Sequence, residues 1–203
     1  MEKSNCPQFS FKDAGCFGGL TRVSSVETAL FHRLCSLGAR SDWLCGHLAA
    51  VCLFSGFGVA RQQGSALTTI ERLANEQSRD LCQLWLGLWL TNTTNPRPDP
   101  AASLDYVRMA ADNGNPWAQN ILGEHYEQGK GVRKDCDEAI SWYRQAANQG
   151  NADARLNMGR CYRSGIGVQP DSDMAKYWFN MAAEHGSTGS ELEDEDIRAQ
   201  YLR

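Results

Sequence analysis

The chain has 203 residues, with 20 Lys and Arg against 24 Asp and Glu, a formal net charge of −4 and a sequence pI near 5.6. That balance gives no general basic field, so nucleic acid and anionic membrane are poor candidates as partners. No apolar run is long enough for a membrane span and no apolar segment follows Met1 to Pro7, so a cytoplasmic protein without a signal peptide is expected.

Residues 1–23 hold Pro7, Gly15, Gly18 and Gly19, which exclude a long helix, together with Phe9, Phe11 and Phe17. This segment is either a flexible leader or a set of rings that pack on the first helices and cap one end of the array. From Ser24 to Leu37, Val26, Ala29, Leu30, Leu34 and Leu37 recur at helical spacing, with Ser24 or Ser25 as cap and Gly38 as stop. It reads as a lone second helix of a hairpin.

The next stretch, Leu48-Ala49-Ala50, Leu53, Gly56 to Val59, Ala66 and Leu73-Ala74, returns 73 residues later. From Leu81 a second copy keeps Leu86-Gly87, Asp99, Tyr106 and Ala110-Ala111, but its turn is Thr93-Thr94-Asn95-Pro96-Arg97-Pro98. Two prolines and an asparagine are expected to make that turn by restricting φ. The third copy has Leu122-Gly123, Tyr126, Gly129, Gly131-Val132, Asp135, Ala139, Trp142, Ala146-Ala147 and Gly150. The fourth repeats it 36 residues on, as Met158-Gly159, Tyr162, Gly165, Gly167-Val168, Asp171, Ala175, Trp178, Ala182-Ala183 and Gly186. After Gly186 come Glu191, Glu193, Asp194, Glu195 and Asp196, then a thin apolar stripe: a short closing helix or a disordered acidic end.

Within one copy, Ile121, Leu122 and Tyr126 share a helical face, and Gly123 lets a second helix come close. Gly129 ends the first helix and Asp135 caps the second, which runs through Ala147 and stops at Gly150. Each copy is thus a helix hairpin with an apolar flank it cannot cover alone, so neighbours stack.

The pattern A-x(3)-LG-x(2)-Y-x(2)-G-x-GV-x(2)-D-x(3)-A-x(2)-W-x(3)-AA-x(2)-G resembles the Sel-one-like repeat, a relative of the tetratricopeptide repeat. The resemblance implies an all-α, right-handed α/α solenoid of about four hairpins over residues 24–186, flanked by the tail at 1–23 and the acidic end at 187–203. It also implies a non-catalytic module that binds another protein. Members serve as adaptors and as bacterial immunity proteins, so a toxin or secreted effector is one class of partner.

Carried over by position from related arrays, the first helix of each hairpin lines a concave groove. The expected partner contacts are Leu44, His47, Val51 and Phe54, then Leu81, Leu84, Leu88 and Thr91, then Trp117, Asn120, Glu124 and Glu127, and finally Asp153, Leu156, Arg160 and Arg163. Along this series the surface passes from apolar to charged. Glu124 and Glu127 are expected to meet basic groups of the partner, and Arg160 and Arg163 its carboxylates. The apolar part must be covered by the tail, by a partner, or else be ordinary core, since Leu84 to Leu90 is apolar all round.

No cofactor, metal or catalytic residue is expected. Cys45 and His47 point apart on one helix, so with Cys52 they cannot close on one ion. The eight cysteines are scattered without a repeated pair, and read as reduced thiols. His125 and Cys161 hold equivalent positions in adjacent copies, but a reactive thiol also needs exposure and an activating field. A few relatives have been linked to β-lactam hydrolysis, yet no Ser-x-x-Lys occurs here.

Overall fold

In the computed structural model, residues 25–39, 42–76 and 79–184 are described. Among them the chain forms nine α-helices and no strand: α1 (Ser25–Gly38), α2 (Trp43–Ser55), α3 (Gln63–Glu76), α4 (Asp80–Leu90), α5 (Pro100–Asp112), α6 (Pro116–Gln128), α7 (Cys136–Asn148), α8 (Ala152–Ser164) and α9 (Ser172–Glu184). They fall in two compact units, α1 to α3 in one and α4 to α9 in the other. The N-terminal segment with its three phenylalanines and the acidic C-terminal end lie outside the described residues.

The hairpins are built from local signals. Asp135 Oδ1 accepts the backbone N–H of Asp137 and Glu138, and Asp99 and Asp171 cap α5 and α9 in the same way. Asn115 and Asn151 cap α6 and α8. At the other end of α6, Gly129 takes φ +71, which a side chain would disfavour, and its N–H satisfies the His125 carbonyl. The loop then closes when the Asp135 N–H donates to the Tyr126 carbonyl at 2.9 Å, and Asp171 repeats this on Tyr162. In α2–α3 the Gln62 N–H does the same on Leu53, so the first hairpin keeps the register inferred from its sequence.

The turn of the second hairpin is held by side-chain hydrogen bonds. Asn92 Oδ1 accepts from Thr94, Asn95 Oδ1 accepts from Arg97, and Asn95 Nδ2 donates to the Trp89 carbonyl. Asparagine side chains stand in for backbone groups in this turn. It still ends with the Asp99 N–H on the Leu90 carbonyl, so the register survives.

Within each hairpin of the second unit a glycine of the first helix marks a close approach to the second. A Cβ added to Gly123 would lie 2.6 Å from Cε1 of Tyr143, and at Gly159 the same distance from Cε1 of Phe179. Gly87 meets Val107 in the same place, and the equivalent positions of the first hairpin are Ala50 and the smaller Ile70, both buried. Three positions of the second helix face this contact. They are Ala66, Ile70 and Leu73 in α3, Ser103, Val107 and Ala110 in α5, Ala139, Tyr143 and Ala146 in α7, and Ala175, Phe179 and Ala182 in α9, and every one is 3% exposed or less.

Hairpins join through shared apolar clusters and one buried polar row. Leu84, Leu104, Val107, Ala118 and Leu122 form a single cluster drawn from α4, α5 and α6. Burial of the Leu122 side chain alone is worth about 1.5–3 kcal/mol. Gln83, Gln119 and Arg155 recur every 36 residues, all buried. Gln83 accepts from Asn113, and Gln119 accepts from Gln149 while donating to the Ala111 carbonyl. Arg155 donates to the carbonyls of Ala147 and Met181. Each thereby satisfies groups near the end of a second helix, which would otherwise be stranded in the stack.

Candidate functional site

The predicted partner contacts occupy four positions on each first helix, and the structure sorts them. The second position is buried in every hairpin: His47, Leu84, Asn120 and Leu156. Leu84 sits in the cluster with Val107 and Leu122, and Leu156 packs with Ala175, Phe179 and Ala182, so these side chains are occupied by the protein's own core. In α2, Val51 and Phe54 are buried as well, which leaves Leu44 exposed. The apolar run from Leu84 is enclosed as its composition demanded: Leu84, Trp85, Leu86, Gly87 and Trp89 are all buried.

In the second unit the other positions stay at the surface. Leu81 and Leu88 are half-buried on α4, as are Trp117, Glu124 and Glu127 on α6. On α8, Arg160 is half-buried, while Asp153 and Arg163 are exposed. Leu88 and Trp117 also lean on the cluster beneath them.

The polar members of this wall are tied together from α6 to α8. Arg160 Nη2 donates to Glu127 Oε2 at 2.6 Å, so these two charges meet each other, where the sequence had assigned both to a partner. Tyr143, fully buried on α7, donates its hydroxyl to the same Glu127 oxygen at 2.7 Å. Arg160 Nη2 also donates to Asn157 Oδ1, Asn157 Nδ2 donates to Asn120 Oδ1 at 2.9 Å, and Asn120 Nδ2 donates to Glu124 Oε1 at 3.0 Å. Side chains fixed in this way lose little freedom on meeting a ligand.

Two residues of this network were not singled out as contacts from the sequence. Asn157 lies one turn before Arg160 on the same helix face, a signal that was available. Tyr143 was assigned to the core alone, and the available signal was that its equivalents, Val107 and Phe179, carry no hydroxyl.

Electrostatics distinguish the carboxylates. Burial pushes the Glu124 carboxyl above the usual range, against the hydrogen bonds from Asn120 and Asn157 that favour its charged form, and the nearby charge of Asp153 adds to the rise. At the far end, the Arg163 guanidinium lies 5.7 Å above the centroid of the Phe179 ring. The Glu127–Tyr143 pair of one hairpin is thus replaced by Arg163–Phe179 in the next, with the same backbone.

The pairs considered for chemistry are placed differently. His125 donates from Nδ1 to the Lys130 carbonyl at 2.7 Å, and Cys161 is buried among Ile166, Met158 and Ile140. Burial pushes the Cys82 thiol up to about 12, far from a thiolate at neutral pH. None of the six described cysteines forms a disulfide, and no cluster of three or more metal-ligating side chains occurs among the described residues. No helix there is long and apolar enough to cross a membrane.

Comparison with known proteins places this geometry. No curated protein matches the sequence. Among solved structures, a protective antigen present in uropathogenic Escherichia coli strains, displaying an SLR fold, superposes with a TM-score of 0.72 at 30% identity, over 83% of this chain and 37% of its own. A Sel1 repeat protein from Oxalobacter formigenes gives 0.70 at 26% identity, over 88% of this chain and 54% of its own. The chain therefore spans about a third and about half of the lengths of these two proteins. An immunity protein from Pseudomonas aeruginosa gives 0.44 at 17% identity, over 79% of this chain and 80% of its own, and nothing about function follows from it. The Sel1 repeat model matches residues 81–115, 118–151 and 152–187, in step with the hairpins α4–α5, α6–α7 and α8–α9. Sel1 repeats are protein-interaction modules, generally without catalysis. With three matched repeats over half its length and the solenoid structure to go with them, this chain belongs to the Sel1 repeat family.

Proposed function

We propose that the chain binds another polypeptide through the wall that α4, α6 and α8 present in the second unit. One observation supports this above the rest: the residues that hold the fold recur from hairpin to hairpin, whereas the surface positions of the first helices change chemistry at every step. Leu88, Glu124 and Arg160 are equivalent by sequence, as are Thr91, Glu127 and Arg163. A fold needs no such variation, and a specific ligand does.

The partner chemistry follows from the charges left over. Glu127 and Arg160 neutralise each other, so Glu124 with Asp153 is the acidic end of the wall and Arg163 over its aromatic ring the basic end. The partner presents a lysine or arginine to the first and a carboxylate or aromatic group to the second, with apolar side chains against Leu88 and Trp117. A toxin or secreted effector neutralised by direct binding is one such partner. The net charge of −4 favours a basic one, and a single interface of ordinary size is enough for inhibition.

A random-peptide display library selected on the full chain tests this. Peptides so obtained should lose affinity about tenfold or more for Glu124→Gln and Arg163→Glu, and keep it for Arg144→Glu on the exposed face of α7. The reverse pattern would move the binding surface to the second helices. For an effector, stoichiometric chain should abolish its activity, and Arg163→Glu should restore it.

A further inference from the structure

Tyr143 and Phe179 are equivalent residues of α7 and α9, and both are fully buried. A Cβ added to Gly123 or to Gly159 would meet Cε1 of the facing ring at 2.6 Å and Cδ1 at 2.7 Å, so the two rings hold the same place in their hairpins. One helical turn beyond each glycine stands a wall residue that touches the ring, Glu127 on Tyr143 and Arg163 on Phe179. What differs between the two rings is a single buried oxygen. A hydroxyl at the ring tip supplies a donor, which suits a carboxylate, whereas a bare ring offers its negative face, which suits a guanidinium. The series extends to the other hairpins. Val107 and Ile70 stand at the same buried position with neither donor nor ring, and the matching first-helix residues are the uncharged Thr91 and Phe54.

We propose that Tyr143 and Phe179 are specificity-determining residues: the group buried on the second helix decides which charge the first helix presents to a partner. The specificity role rests on the wall being the binding surface, whereas the pairing of ring and charge does not. Both rings are covered by the protein, so they act through the wall residue and are positioning residues. The two hairpins then differ in what they leave for a ligand. Glu127 accepts from Arg160 at 2.6 Å and from Tyr143 at 2.7 Å on one oxygen, so its charge is taken up within the protein. Arg163 is exposed, and its planar fork of N–H donors matches a carboxylate. The charge that selects a ligand at this end is Arg163, and Phe179 is what keeps it positive: a donor hydroxyl in that place would favour a carboxylate above it, and a basic ligand.

A double-mutant cycle of Arg163→Glu and Phe179→Tyr on the full chain tests the pairing, read by urea unfolding at about pH 7. Each single change should destabilise, and the double variant should exceed the product of the singles about tenfold in its folding equilibrium constant. That excess should shrink at about pH 3, because a donated hydroxyl favours the charged form of the introduced carboxylate. A role for the ring in packing alone would not follow pH. Independent effects, or an excess indifferent to pH, overturn the proposal. If Phe179→Tyr abolishes the cooperative transition, Tyr143→Phe crossed with Glu127→Ala reads the same coupling from the other side. Display peptides then test specificity: those selected on the double variant should carry Lys or Arg where those selected on the wild type carry Asp or Glu. Coupling in the cycle with peptides that ignore both changes would keep the ring and charge paired, but would overturn the wall as the binding surface and the specificity role with it.

Discussion

Gly123→Ala probes the closest contact of the array. The new Cβ would lie 2.6 Å and 2.7 Å from Cε1 and Cδ1 of Tyr143 and 3.2 Å from the Ala139 carbonyl oxygen. Relaxed carbon contacts need about 3.5–4.0 Å, so roughly 1 Å of overlap must be relieved. Tyr143 cannot swing away, because its ring is fully buried and its hydroxyl is held by Glu127. The helices must separate instead, at about 2–3 kcal/mol, the upper part of the usual overpacking range. Alanine returns about 1 kcal/mol of helix propensity, leaving a net loss of about 1–2 kcal/mol. The first hairpin carries the compensated pair at the equivalent positions, Ala50 and Ile70, both buried. In a Tyr143→Ile background, Gly123→Ala should therefore cost nothing or stabilise. Urea unfolding followed by far-ultraviolet circular dichroism, run as a double-mutant cycle, measures both. Equal costs in the two backgrounds, or a more stable single variant, would refute the reasoning.

Leu84→Glu should unfold at least the second hairpin, because it places a carboxylate within an apolar cluster; loss of the cooperative transition checks it. Asp171→Ala removes two hydrogen bonds at the start of α9 and should cost about 1 kcal/mol in chemical denaturation. Glu124 titrates above its unfolded value, so the native state binds its proton more tightly. Its contribution favours folding in acid and is lost as pH rises through the folded value. Glu124→Gln should therefore flatten the fall in stability just above pH 4.5, with thermal melts from pH 4 to 7 as the measurement.

The fold was legible because its signals are local and repeated. Asp135 and Asp171 cap, Gly129 and Gly165 stop, and the small residue at Gly123 announces a close neighbour; each acts within a turn or two of where it is written. Even the α2–α3 hairpin, outside the matched repeats, could be placed from Gly56 and the offset of 73. The wall was harder. Positions were assigned by analogy along each first helix, and six of the sixteen turned inward, one in each of α4, α6 and α8 and three in α2: a helix face carries no mark saying how far its neighbours wrap around it. That is why Asn120 and Leu84, at the same position, are both buried although one is polar.

The sequence by itself determined the number of hairpins, their boundaries and the register, since each depends on spacing along a single helix or loop. Only the tertiary structure decided which of the wall's charges pair with each other. Glu127 and Arg160 are 33 residues apart, and stacking brings them to 2.6 Å, with Tyr143 threaded between helices to hold the same oxygen. Pairing of that kind depends on the distance between stacked hairpins, a quantity set by the volume of buried side chains and by no motif.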